Sequence, residues 1–222
     1  MTREKQKERI QRVRVLNRIL RTLYPERTIA LHHSNTWELL VAVILSAQCT
    51  DIRVNMVTKK LFVQFPTLDS YAQATQQEME QAVFQCGFYR NKAKHIRESA
   101  QIILETYGGE VPCTMEALLT LPGVARKTAN VVLSNAFGVH EGIAVDTHVR
   151  RFAIRFDLTD STDPKQIERD LMEIMPKHEW WGFNHRLVQY GREMCPARPH
   201  PCTSHPLTLK YPPASTVWPK AY

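Results

Sequence analysis

Between Leu118 and Leu133 two apolar stretches at helical spacing are separated by only Leu121-Pro122-Gly123-Val124-Ala125, so two helices must reverse direction within a very tight turn. Pro122 fixes φ and Gly123 opens backbone conformations closed to other residues, which is what such a turn requires. The second helix opens at Arg126-Lys127-Thr128-Ala129-Asn130 and presents free backbone N–H groups and the positive end of its dipole. That arrangement holds a phosphate and reads no base sequence. Lys and Arg outnumber Asp and Glu by 29 to 22, a net charge of +7 that agrees with a polyanionic partner without naming one.

The rest of the chain is also helical in pattern, and no alternating β-branched runs flanked by hairpin turns interrupt it. Ile10, Val13, Leu16, Leu20 and Leu23 mark a basic amphipathic helix over Arg3–Leu23. Trp37–Ala47 is apolar almost all round, as a helix buried on every side would be, with Asn35 or Thr36 as its cap. Further helices are predicted over Arg53–Phe65, Gln76–Phe84, Asn91–Tyr107, Met115–Leu121, Ala125–Phe137, Thr147–Phe156, Pro164–Met175 and Phe183–Glu193. The fold class is therefore all-α. Hydrophobic residues at 43% and charged residues at 23% exclude a disordered or fibrous chain. The apolar stretch Leu39–Leu45 is far below the roughly 20 residues of a bilayer crossing. A charged start, MTREKQKERIQRVR, points to the cytoplasm and nucleoid, or to the nucleus of a eukaryote. Five cysteines in such a chain leave reduced thiols or a metal-ligand set, rather than a disulfide framework.

The hairpin segment LPGVARKTANVVL resembles the helix-hairpin-helix of the DNA glycosylase superfamily, and within it the endonuclease III family. Over residues 10–211 the family's motifs occur in order, which implies a two-lobed helix-hairpin-helix glycosylase fold. Residues 29–139 would form a central helical barrel and residues 1–28 with 140–211 a second lobe. Residues 212–222, rich in proline, read as an extended or disordered tail. The resemblance makes Lys127 the nucleophile that attacks the sugar C1′ of a damaged nucleotide. Such an amine must be neutral, which partial desolvation, the helix N-terminus and Arg126 all favour. Read alone, Lys127 would be a solvated surface lysine or a phosphate contact. The family turn usually carries a second glycine where this chain has Ala125. A left-handed backbone there would make alanine costly, whereas a helix start would favour it; the second reading is preferred.

Ile143-Ala144-Val145-Asp146-Thr147-His148 reads as an apolar approach, an N-cap aspartate and a helix. The resemblance makes Asp146 the family's essential carboxylate, stabilising positive charge on the sugar and relaying protons. His148 is a structural or phosphate-side group rather than a base. Leu45–Asp51 resembles the loop whose polar side chain, Gln48, fills the gap left by a flipped base. Gly87–Ala93 resembles the loop with an apolar wedge, Phe88. Alone, Gln48 would be a helix-terminal polar residue and Phe88 a core aromatic. With Gln48, Asp51, Phe88 and His148, the hairpin residues Gly123, Ala125, Arg126 and Thr128 complete the expected DNA-contacting set.

Endonuclease III relatives commonly end in a C-x6-C-x2-C-x5-C spacing that binds a [4Fe–4S] cluster. Here Cys195 and Cys202 match, but His205 and Tyr211 stand at the third and fourth positions. The expectation is therefore no cofactor and no cluster, with Cys195, Cys202, His205 and His200 as a weak zinc alternative. The implied activity is base-excision glycosylase and AP lyase on oxidised pyrimidines. The implied partner is double-stranded DNA with damaged bases or abasic sites, bound by a monomer that engages no membrane. A glycosylase for a mismatched or alkylated base, and a catalytically inactive DNA-binding protein, are the alternatives.

Overall fold

The computed structural model describes residues 2–25 and 29–218, and among these every regular element is helical. None of the described helices is long and apolar enough to cross a membrane. The chain divides into two compact units, a continuous one over Ile29–Glu141 and a discontinuous one formed by Met1–Thr28 with Gly142–Tyr222.

In the continuous unit, α2 (Thr36–Ser46) is the core helix: Leu39 through Leu45 are all buried. Each such aliphatic side chain contributes about 1.5–3 kcal/mol of transfer free energy. Asn35 caps the helix, its side chain accepting from Glu38 N. Around α2 pack α3 (Asp51–Gln64), α6 (Tyr89–Tyr107) and α8 (Arg126–Ala136), while α4 (Leu68–Gln73) and α5 (Gln76–Val83) cover the outside of α6. Helix α4 escapes prediction from the sequence because six residues are too short to show periodicity; its signal is the Thr67/Ser70 capping box. The short α7 (Met115–Leu118) stops three residues earlier than predicted. There, Thr120 N and Leu121 N turn back to the carbonyls of Ala117 and Leu118 and start the hairpin instead.

The discontinuous unit joins α1 (Arg3–Leu23) to α9 (Thr147–Arg155), α10 (Pro164–Ile174) and α11 (Trp180–Glu193) around a second core built on Leu16, Leu20, Phe152, Phe156, Leu171 and Phe183. Arg9, 1% exposed, closes the unit: it donates to the carbonyl and carboxylate of Asp157 and to Asp160, which lie just beyond α9. Helix α11 begins at Trp180 rather than at Phe183, because a 3-10 turn over Lys177–Glu179 leads directly into it.

Residues 212–218 depart from the expected disordered tail. Pro212–Ser215 form a 3-10 turn packed on α9, and Ala214 is fully buried. Its carbonyl accepts two bonds from Arg155, which gives the proline-rich stretch a fixed anchor. The remainder of that tail, residues 219–222, lies outside the described residues.

Candidate active site

The hairpin's shape is set by one residue. Gly123 has φ +77°, and a Cβ there would stand 2.8 Å from His95 Nδ1 and 3.1 Å from His95 Cβ, so neither the dihedral nor the space admits a side chain. Ala125 is different: it is the N-cap of α8 in extended conformation, φ −91°, and its carbonyl receives the first helical bond from Ala129 N. No left-handed residue is needed at 125, and alanine fits. Because alanine has no polar side chain, α8 starts with no side-chain cap. Its first turn, Arg126-Lys127-Thr128, thus keeps the anion-binding character of an open helix N-terminus. Lys127 and Arg126 are exposed and Thr128 is half-buried. The partial desolvation expected for Lys127 is thus not supplied by its neighbours.

Helix α6 holds this hairpin and also the two loops singled out in the sequence. Ser99 Oγ donates to the Pro122 carbonyl at 3.2 Å, and His95 lies under Gly123. One turn earlier, Lys92 is 5% exposed and its ammonium donates to the carbonyls of Leu45 (2.9 Å) and Ala47 (2.6 Å) at the end of α2. Burial lowers the Lys92 pKa from its ordinary value. This clamp holds the Gln48 turn beside the Phe88 loop, where a Cβ on Gly87 would meet the Gln48 carbonyl at 3.3 Å.

Gln48 (φ 51°) and Phe88 (φ 56°) both occupy the left-handed region that non-glycine residues rarely adopt. Both side chains are exposed, Phe88 at 65%, so it is not a core aromatic. Asp51, half-buried, opens α3 behind the Thr50 cap. Burial, reinforced by neighbouring Cys49, pushes the Cys86 thiol up to about 12, so it stays protonated at neutral pH.

Lys92, His95 and Ser99 were missed by sequence reasoning. A signal existed: Lys92 falls on the stripe it shares with Ile96, Ser99 and Ile103, where a lysine on an apolar face needs a reason.

Lys127 belongs to the continuous unit and Asp146 to the discontinuous one. Asp146 is the N-cap of α9, and its Oδ1 accepts from His148 N and Val149 N, each at 2.9 Å. Its Oδ2 makes no hydrogen bond among the described residues. Capping thus orients the carboxylate and leaves one oxygen for other work. His148 is half-buried against Gly191 of α11, where a Cβ would come 2.4 Å from His148 Nδ1. A structural role for His148 follows from that contact.

The expectation of no cofactor is corrected by the C-terminal segment. Cys195, His200 and His205 each bring one ligand atom within 4.8 Å of the others, a group that could hold a metal ion. Cys202 is not one of these three, although Arg155 links it to Cys195. Arg155, 1% exposed, donates Nη1 to Cys195 Sγ (2.9 Å) and Nη2 to Cys202 Sγ (3.1 Å). Burial pushes the Cys195 thiol up against the pull of Arg155. At the family's four cysteine positions this chain has Cys195, Cys202, His205 and Tyr211, and the grouped donors are one thiol and two imidazoles, so they fit a mixed Cys/His centre better than four-thiolate ligation.

The chain belongs to the HhH-GPD superfamily of base excision DNA repair proteins, whose family pattern matches residues 41–177. Within it the chain is similar to endonuclease III of Synechocystis sp., 51% identical over 184 residues that cover 83% of this chain and 84% of that one. Endonuclease III of Bacillus subtilis is 46% identical over 186 residues, 83% of this chain and 84% of that one. Among solved structures, a trapped endonuclease III–DNA covalent intermediate superposes with a TM-score of 0.85 at 43% identity, covering 90% of this chain and 94% of the other. The fold and the class are those expected: a base-excision repair DNA glycosylase that binds DNA, in a family where AP lyase activity is typical.

Proposed function

We propose that Lys127 and Asp146 carry out glycosylase and lyase chemistry on oxidised pyrimidines in duplex DNA. The observation that carries this reading is Lys127 itself: an exposed amine in the first turn of an uncapped helix, behind a turn that only glycine can make. Backbone N–H groups there bind a phosphate, so the amine stands beside a bound DNA backbone. The solved neighbour trapped as a covalent DNA intermediate supports a covalent step.

In the proposed reaction, neutral Lys127 Nζ attacks C1′, and the N-glycosidic bond breaks with its electron pair leaving on the base. The C1′–O4′ bond then opens to an imine between Lys127 and the sugar. This acidifies the C2′–H; removal of that proton expels the 3′ phosphate by β-elimination, and water releases Lys127. Asp146 Oδ2 balances positive charge on the sugar and carries protons between these steps. Entry of DNA supplies the desolvation that the exposed lysine lacks. Phe88 is the wedge and Gln48 the filler of the vacated stack, with Gly123, Ala125, Arg126 and Thr128 on the phosphates. Asp51 and His148 complete the DNA-contacting set, and the protein acts as a monomer.

Borohydride trapping on duplexes each carrying a single lesion tests this reading. Wild type should form a covalent adduct on oxidised pyrimidines and abasic sites, and Lys127→Ala should form none. Adducts on a mismatched or alkylated base alone would move the substrate class, and an adduct with Lys127→Ala would remove the lysine from the reaction.

A further inference from the structure

We propose that Cys195, His200 and His205 form a mononuclear zinc site that fixes the C-terminal segment of the discontinuous unit. His200 Nδ1 is engaged with the Arg198 carbonyl at 2.8 Å, which sets the tautomer and leaves Nε2 as the lone-pair nitrogen. That Nε2 is buried and has no hydrogen-bond partner, and the same is true of His205 Nδ1. Two imidazole nitrogens desolvated and left unpaired would each cost free energy comparable to a lost hydrogen bond, unless something accepts their lone pairs. A metal ion accepts both. An imidazole tied to a backbone carbonyl through its other nitrogen is the usual support of a metal-bound histidine.

The rings of His200 and His205 are 5.2 Å apart at their centroids, and Cys195, 1% exposed, completes the group. A tetrahedral ion about 2.0–2.3 Å from each donor needs donor separations of roughly 3.3–3.6 Å, so a group whose ligand atoms lie within 4.8 Å of one another has to close by at most about 1.5 Å. One thiolate with two imidazoles is a donor set that zinc accepts, and solvent takes the fourth position. Arg155 Nη1 on Cys195 Sγ is compatible with a metal-bound thiolate, because a buried guanidinium requires an anionic partner.

The site has a structural task. From Cys195 to Tyr211 the chain contains no regular helix and is interrupted by Pro196, Pro199, Pro201 and Pro206. Such a segment has few backbone bonds of its own. Zinc would close it between Cys195 and His205. It would also seat the ring of His200 against Trp218, whose face in turn lies 4.0 Å from the Arg155 guanidinium.

The test uses the full chain and metal alone. Purified protein should carry an equimolar amount of zinc. After chelation it should take up Co2+ with the visible bands of a tetrahedral site and a thiolate-to-cobalt charge-transfer band. Cys195→Ser should lose the charge-transfer band, His200→Gln and His205→Gln should lose tight cobalt uptake, and Cys202→Ser should keep both signals. Because a variant could fail to fold, direct titration of chelated wild type with Zn2+ and Co2+ stands as an independent arm. Absence of saturable uptake there overturns the proposal. So does stoichiometric iron with acid-labile sulfide, or a charge-transfer band that depends on Cys202 and not on Cys195.

Discussion

Replacing Gly123 by alanine is the sharpest test of how the hairpin is built. At φ +77° an alanine bears a left-handed penalty of about 1–2 kcal/mol. Its Cβ would also stand 2.8, 3.1 and 3.1 Å from three atoms of His95. One of those is His95 Cβ, which no rotation of the ring moves away, so overpacking adds about 1–3 kcal/mol. The sum, about 2–5 kcal/mol, is a large part of a stability of roughly 5–15 kcal/mol. Urea unfolding followed by circular dichroism should show it. The double variant Gly123→Ala/His95→Ala should recover only the share due to the ring atoms, because the 3.1 Å contact with the Cβ at position 95 persists, and should stay at least about 1–2 kcal/mol below His95→Ala alone. Ala125→Gly, at φ −91° and an N-cap position, should stay within about 1 kcal/mol of the parent. The reasoning fails if Gly123→Ala unfolds within about 0.5 kcal/mol of the parent, or if Ala125→Gly costs more than Gly123→Ala.

Asp146→Asn keeps an Oδ1 acceptor for His148 N and Val149 N and should cost less than about 0.5 kcal/mol, whereas Asp146→Ala should cost about 1–2 kcal/mol. Both should lose trapping, and full trapping by Asp146→Asn would take the carboxylate out of the chemistry. Phe88→Gly relieves the φ of 56° and should stabilise by roughly 0.5–1 kcal/mol while weakening lesion capture; a destabilised Phe88→Gly would mean that the exposed ring contributes packing. Hydrogen bonding from Lys5, then Arg9, holds the Asp160 carboxyl below its usual range. Its contribution to stability is thus present above the usual carboxylate range and lost as pH falls through the depressed value. Urea midpoints of wild type and Asp160→Asn should converge as pH falls below the usual carboxylate range, and a constant gap would contradict that linkage. Duplex affinity should fall steeply with salt, because phosphate contacts carry most of it, and a flat response would count against the open helix terminus.

Local features are legible in the residues themselves. The helical period, the Pro-Gly turn, the aspartate cap of α9 and the asparagine cap of α2 are interactions between residues four or fewer positions apart, and residue type alone reports them. Element ends are less legible where a short turn replaces or extends the last helical turn, as at Leu118 and Trp180. The functional residues hidden from sequence reasoning act over long separations. Lys92 reaches the Leu45 and Ala47 carbonyls, and His95 and Ser99 pack under the hairpin. The metal donors illustrate the same division. Spacing offers Cys195, Cys202, His205 and His200 as a zinc alternative without saying which of them meet, whereas folding groups Cys195, His200 and His205 and leaves two imidazole nitrogens buried without partners. By itself, the sequence determined which segments become helices and which residues are chemically able to act, because propensity, capping and turn chemistry are local. Only the tertiary structure decided that α6 carries the Gln48 and Phe88 loops and the hairpin, that Arg155 anchors the C-terminal stretch, and that three scattered side chains form a ligand set. Those facts depend on burial, and burial is a property of the packed chain.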